Sequence, residues 1–143
     1  FINFKSINVT TSDYKNLNGK IEINQELKII IKFENILLEG KFNLNLFFNS
    51  PEGFNIFAVC SPVFNIEKEI YQIICNVPSE FLNDNLYFID LMIVVNSQPV
   101  ITFEEIFSIE GIEPKREGNW LGKFPGLIRP YFNWTISKIN PLA

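Results

Sequence analysis

The chain has 143 residues, 47% of them hydrophobic and 15% aromatic, which fits one folded domain with a sizeable core and excludes a disordered segment. Its formal net charge of -4 argues against nucleic acid, which needs a basic face to displace counterions, and leaves no polybasic handle for an anionic membrane. It contains no histidine, so zinc sites of the usual type are excluded.

Strand signals dominate in chain order. Phe1 to Thr10 opens with apolar residues at roughly alternate positions, and Asn16-Leu17-Asn18-Gly19 reads as a turn. Glu26 to Phe33 sets Leu27, Ile29, Ile31 and Phe33 on one face with Lys28 and Lys32 on the other. Lys41 to Asn49 alternates most clearly. Phe42, Leu44, Leu46 and Phe48 point inward, so Asn43, Asn45 and Phe47 point out. Ser50-Pro51-Glu52-Gly53 is a β-turn that leads into a hairpin partner, Phe54 to Cys60.

Glu69 to Val77 is a further strand, ended by Pro78, and Ser79 to Leu82 admits a short helix. Asn83-Asp84-Asn85 turns the chain into Leu86 to Asn96, where core residues Tyr87, Ile89, Leu91 and Ile93 leave Phe88, Asp90 and Met92 outward. Ser97-Gln98-Pro99 breaks the chain before Val100 to Ile109. There Phe107 and Ile109 inward put Glu104, Ile106 and Ser108 outward. Turn signals at regular short spacing, with no 3.6-residue pattern, predict an all-β fold: an antiparallel, immunoglobulin-like β-sandwich body over residues 1–110. The apolar run Leu86 to Val95 is too short to span a bilayer and carries Asp90. No signal peptide is visible, and the first residue is Phe, as expected for a piece of a longer chain.

Cys60 and Cys75 both lie in apolar strand-like runs, which predicts two buried thiols; a disulfide between them stays open at this point. Asn8-Val9-Thr10 and Asn133-Trp134-Thr135 match the glycosylation sequon, a frequent coincidence.

Residues 111–143 form a linker and an arm of the same domain. Glu113 to Glu117 reads as a solvated linker. Gly118 to Phe124 resembles a phosphate loop only loosely, with three residues between Gly118 and Gly122 instead of four and Phe124 after Lys123 where a hydroxyl is needed. The stretch is also too apolar to stand in water, with Trp120, Leu121, Phe124, Leu127, Ile128, Tyr131, Phe132 and Trp134 close together. Leu127 to Thr135 can run as a strand, and Pro130, which lacks a backbone donor, suits an edge. Such an arm docks on its own body or, with the linker extended, exchanges with a second copy in a symmetric dimer.

Several of these segments resemble one known family. Gly19-Lys-Ile-Glu-Ile-Asn-Gln-Glu-Leu-Lys-Ile29, Asn45-Leu-Phe-Phe-Asn-Ser-Pro-Glu-Gly53, Val77-Pro78 followed by Leu86-Tyr87, Phe107-Ser108-Ile109, and the close Gly118…Pro125-Gly126-Leu127-Ile128-Arg129-Pro130…Trp134 occur in its order. Together they resemble the C-terminal carbohydrate-binding domain of the ATP-binding subunit of bacterial O-antigen polysaccharide ABC exporters, the Wzt C-terminal domain family. Asn85 stands where that family often has Gly, a change a turn accepts because Asn visits left-handed backbone. The resemblance implies an immunoglobulin-like sandwich and a homodimer with exchanged C-terminal strands, its arm comprising Trp120, Leu127, Ile128, Arg129, Tyr131 and Trp134. It also implies non-catalytic binding of the exported polysaccharide's terminal structure, with no cofactor or metal in this domain. The nucleotide-binding domain would lie upstream and a transmembrane transporter subunit beside it, at the cytoplasmic face of the bacterial inner membrane.

Amides and carboxylates hold sugar hydroxyls, and aromatic rings accept the apolar face of a pyranose. The expected carbohydrate site is therefore the outward face made by Asn43, Asn45, Phe47, Phe88, Asp90, Met92 and Glu104. Covering of this face by the arm or a second subunit is the alternative. A purely structural immunoglobulin-like module, or a glycosidase using Asp90 with Glu104 or Glu105, are the competing functions.

Overall fold

The computed structural model describes residues 1–114, 126–130 and 132–139. In chain order the strands are β1 (Ile2–Thr11), β2 (Lys20–Glu22), β3 (Leu27–Asn35), β4 (Gly40–Asn49), β5 (Asn55–Cys60), β6 (Phe64–Ile66), β7 (Ile70–Val77), β8 (Leu86–Val95) and β9 (Gln98–Ile112). One sheet has three strands in the order β1-β3-β7; the other has six, in the order β2-β9-β8-β4-β5, with β6 also paired to β4. All pairings are antiparallel except β2 with β9, which is parallel. This is the expected all-β, immunoglobulin-like sandwich.

The alternation read from the sequence sets the core. Leu27, Ile29, Ile31 and Phe33 of β3 face Phe42, Leu44, Leu46 and Phe48 of β4 and Tyr87, Ile89, Leu91 and Ile93 of β8, and all are buried. Rings bridge the two sheets: Phe33 stacks on Phe42 with centroids 5.6 Å apart, and Phe4 meets Phe103 edge-on at 4.9 Å. Each such fully buried side chain contributes roughly 1.5–3 kcal/mol, so a one-residue slip of β4 or β8 would expose a whole row of them.

The turns follow their residues. Gly53, at φ 92°, closes the β4–β5 hairpin with its N–H on the Ser50 carbonyl at 2.9 Å. Asn96 and Ser97 both take positive φ in the two-residue β8–β9 loop, which matches the right-handed strand twist. β2 and β6, of three residues each, went unread because so short a run shows no alternation. β9 runs on to Ile112, past the expected end at Ile109, because β2 pairs along its last residues.

Three expectations are corrected. Ser79 to Leu82 is a turn, not a helix: the Glu80 N–H is bonded to the Ile23 carbonyl at 2.8 Å, and Leu82 bridges to Ile128. Four residues supply too few internal bonds to offset helix nucleation. Asn85 does not take left-handed backbone; its side chain instead donates to the Gly126 carbonyl at 3.3 Å. Cys60 is exposed, because β5 lies at the sheet edge and Cys60 pairs with outward Asn45. Cys75 is half-buried on the inner side of the other sheet, where burial pushes its thiol pKa up, and both cysteines are free.

The arm divides at Pro130. Its first part is fastened to the body around β8. The Tyr87 hydroxyl donates to the Leu127 carbonyl at 2.6 Å and accepts from the Asn83 N–H at 2.7 Å, the corner by which a tyrosine ties a strand start to the residues before it. Burial pushes the Tyr87 phenol pKa up, so it remains a neutral donor. Asn83 Nδ2 donates to the Gly126 carbonyl at 2.7 Å, the Arg129 N–H to the Phe81 carbonyl at 2.6 Å, and the Arg129 guanidinium pairs with Glu113. Gly111 lets this corner close, since a Cβ there would lie 2.1 Å from the Asn83 carbonyl oxygen. The second part makes no strand within the chain, so the expected strand over Leu127 to Thr135 is reduced to the Ile128 bridge. Phe132, Trp134, Ile136 and Ile139 are 70%, 84%, 94% and 84% exposed. Trp120 and Tyr131 lie outside the described residues.

Candidate functional site

Because the inward rows of β4 and β8 are fixed by the core, their alternate residues must share the outer face of the six-stranded sheet. Asn43, Asn45 and Phe47 of β4 sit beside Val94, Met92 and Asp90 of β8, and Asn49 sits beside Phe88. On the far side of β8, Phe88 is opposite Ser108 and Met92 opposite Thr102, with Glu104 on the irregular stretch between them. Asn43, Asn45, Phe47, Phe88, Asp90 and Met92 are all half-buried and Glu104 is exposed. The predicted outward residues are thus neighbours on three adjacent strands. Ile106 departs from expectation: the shift in β9 register turns it partly into the core.

Polar side chains tie these strands together. Asn55 Nδ2 of β5 donates to Asn49 Oδ1 at 3.1 Å, Asn49 Nδ2 donates to Asp90 Oδ2 at 3.0 Å, and Asp90 Oδ1 accepts the Glu105 N–H at 2.8 Å. This row crosses four strands. Glu105 has a φ of 48°, which is unfavourable for a residue with a Cβ, and the Asp90 carboxylate holds its N–H in that bulge. A second group lies lower on the sheet. Asn43 Nδ2 donates to Asn45 Oδ1 at 3.3 Å and to Cys60 Sγ at 3.5 Å, and the Cys60 thiol donates to Asn45 Oδ1.

Asp90 is therefore first a fastening of the sheet, half-buried with each carboxylate oxygen accepting one hydrogen bond from it. Asn49, Asn55 and Cys60 belong to the same face but were not among the expected site residues. Asn49 was within reach of sequence reading, as it ends the same alternation as Asn43 and Asn45. Asn55 and Cys60 were not, because their neighbours depend on strand pairing, and a bulge between Phe48 and Asn49 shifts Cys60 to a place beside Asn45.

Two other concavities compete with this face. An open trough of about 820 Å³ lies between the β1–β2 and β2–β3 connections, lined by Asp13, Lys15, Lys20, Glu22 and Glu26 among others. Its charges are mixed in sign and no aromatic ring lines it. A groove of about 230 Å³ opens between the β5 and β7 edges, lined by Phe48, Phe57, Val59, Cys75, Pro78 and Phe81, and is almost wholly apolar. Neither combines rings with amides and acids as the outer face does. Among the described residues no group of three or more His, Cys, Asp or Glu could hold a metal ion, and no helix is long and apolar enough to cross a membrane.

No protein-family model and no curated protein matches the sequence. Solved structures do. The crystal structure of the C-terminal domain of Wzt aligns with 95% of this chain and 84% of that chain, with a TM-score of 0.75 at 9% sequence identity. The two share a fold. At that identity the likeness speaks for backbone architecture, and the chemistry of the face must be argued from this chain's own side chains.

The Asp90 fastening has a measurable consequence. Asp90→Ala frees the Glu105 N–H and Asn49 together, and urea unfolding should show a loss of about 2 kcal/mol, the range for hydrogen bonds to a charged group. A change below about 0.5 kcal/mol, the level of an ordinary surface substitution, would mean that the row does not hold the bulge.

Proposed function

We propose that this domain is a non-catalytic carbohydrate-binding module, taking the terminal structure of an O-antigen-type polysaccharide on the outer face of its six-stranded sheet. The observation that carries the reading is the grouping of Asn43, Asn45, Phe47, Phe88, Asp90, Met92 and Glu104 on adjacent strands, with rings and a thioether among amides and acids. A solvated sheet face has no need of Phe47, Phe88 and Met92, whereas a pyranose stacks its C–H face on rings and offers paired hydroxyls to amides and carboxylates. One ring contact and two or three hydrogen bonds sum to on the order of 4 kcal/mol, close to millimolar affinity, so binding gains from multivalency. The likeness to the Wzt domain supports the same reading, and with it a place at the cytoplasmic side of an ABC transporter. A nucleotide-binding domain upstream and a transmembrane partner complete that assignment. Glycoside hydrolysis is disfavoured by the commitment of both Asp90 oxygens to the sheet.

The second element of the proposal is a homodimer made by the arm. Phe132, Trp134 and Ile136 alternate with Asn133, Thr135 and Ser137, the pattern of a strand with one apolar face, and all three side chains are largely exposed among the described residues. The apolar groove between the β5 and β7 edges is the matching surface on a second copy.

Titration with bacterial polysaccharide fragments tests the first element. Phe88→Ala should weaken binding about fivefold to tenfold, the worth of one ring contact, without changing the thermal midpoint by more than a few degrees. Unchanged affinity in both Phe88→Ala and Phe47→Ala would remove the face from the proposal. For the second element, light scattering of the full chain should report a dimer and of a chain ending at Pro130 a monomer. A dimer that survives the truncation would place the contact elsewhere.

A further inference from the structure

The opposite side of the sandwich, the outer face of the three-stranded sheet, is crossed by rows of polar side chains. Because Leu27, Ile29, Ile31 and Phe33 of β3 point into the core, Lys28, Ile30 and Lys32 point out. The register sets Thr10 and Asn76 on either side of Lys28, Asn8 and Ile74 on either side of Ile30, and Gln72 beside Lys32. On β1 the register shifts between Phe4 and Ser6, so that Lys5 and Ser6 both stand opposite Lys32. The bulge thereby gathers two ammonium groups, a hydroxyl and an amide in one row across three strands. Among the described residues neither Lys5 nor Lys32 makes an ion pair. The acids in phase with the β3 lysines, Glu26 and Glu34, stand two residues outside Lys28 and Lys32, about 7 Å along the strand, and bridge to neither.

A second amine is held ready at the other end of the face. Lys28 Nζ donates to Asn76 Oδ1 at 2.8 Å and lies 5.5 Å from the centroid of the Tyr14 ring. Tyr14 is 60% exposed and has a φ of 67°, an unfavourable backbone for so large a residue. Its turn holds it there, with the Tyr14 N–H on the Thr11 carbonyl at 3.0 Å and the Lys15 N–H on Thr11 Oγ1 at 3.0 Å. A ring is thus presented to solvent at the cost of local strain, beside an amine. Lys28 and Lys32 are four residues apart on one strand, about 13 Å, with Ile30 and Ile74 forming an apolar patch between their rows.

We propose that this face is a second ligand surface, which takes an acidic polysaccharide lengthwise along β3. A uronate carboxylate accepts from the amines of Lys5 and Lys32 and from the Ser6 hydroxyl. The C–H side of the sugar rests on Ile30 and Ile74, the amides of Asn8 and Gln72 take hydroxyls, and a further ring along the chain stacks on Tyr14 beside Lys28. Carboxylates of an acidic peptide would meet the amines as well, but an exposed ring among amides matches a chain of hydroxylated rings. The surface lies across the sandwich from Phe88 and Asp90, so its binding is independent of theirs.

The test is a calorimetric titration of the full chain with a galacturonate oligomer, its neutral methyl ester and poly-glutamate. The uronate form should bind about tenfold more tightly than the ester in about 20 mM salt, an advantage falling below about threefold in about 500 mM salt. Lys5→Gln combined with Lys32→Gln should remove most of that advantage and leave affinity for the ester within about twofold. Tyr14→Asn, which keeps a residue that accepts left-handed backbone, should weaken the uronate form about fivefold. Phe88→Ala, on the other sheet, should leave the uronate advantage unchanged. Equal affinity for the two forms at low salt would overturn the proposal, as would an advantage lost in Phe88→Ala and kept in the double lysine variant. Poly-glutamate binding as tightly as the uronate, with the same dependence on Lys5 and Lys32, would overturn it in favour of an acidic peptide.

Discussion

The period-two phase of β4 and β8 is the constraint on which the rest depends. These adjacent strands bury Phe42, Leu44, Leu46 and Phe48 on one and Tyr87, Ile89, Leu91 and Ile93 on the other, a set of contacts too large to give up. Once that phase is fixed, the intervening residues have no freedom of placement. Asn43, Asn45 and Phe47 must stand beside Val94, Met92 and Asp90 on the outer side of the sheet, where Val94 is itself buried, so the same packing that makes the core also composes the candidate site. The polar row from Asn55 through Asn49 and Asp90 to the Glu105 backbone then locks four strands against sliding and gives the face a defined shape. A rigid sheet presenting side chains at fixed spacing is a sound scaffold for a weak, polar ligand, because little side-chain freedom is lost on binding.

The second constraint is the corner at Tyr87. It is buried, it joins the residues before β8 to the arm through Asn83 and Leu127, and it requires the close approach permitted by Gly111. Gly126 to Pro130 are therefore held against the body, whereas Phe132, Trp134, Ile136 and Ile139 beyond Pro130 are largely exposed.

Much of this was legible in the sequence. Clean alternation in Lys41 to Asn49 and Leu86 to Asn96 carried both the strand positions and the outward residues, because burial on one face leaves a period-two imprint. Three kinds of feature left no such imprint. Strands of three residues, β2 and β6, are too short to alternate visibly. Bulges shift phase without a local signature, which hid the turn of Ile106 toward the core and the exposure of Cys60. Side-chain bonds between distant residues, such as Asn49 with Asp90, depend on register, which no single segment encodes. The family resemblance read from short motifs agrees with the fold, while its finer content depends on chemistry that shared architecture does not carry.

The most direct measurement of the central claim is amide chemical-shift mapping of the isotopically labelled chain during titration with a polysaccharide fragment. The account predicts that the shifted amides cluster on β4, β8 and β9 around Asn45, Phe88, Asp90 and Glu104. Shifts confined to the trough beside Lys20 and Glu22, or to the groove between β5 and β7, would contradict it.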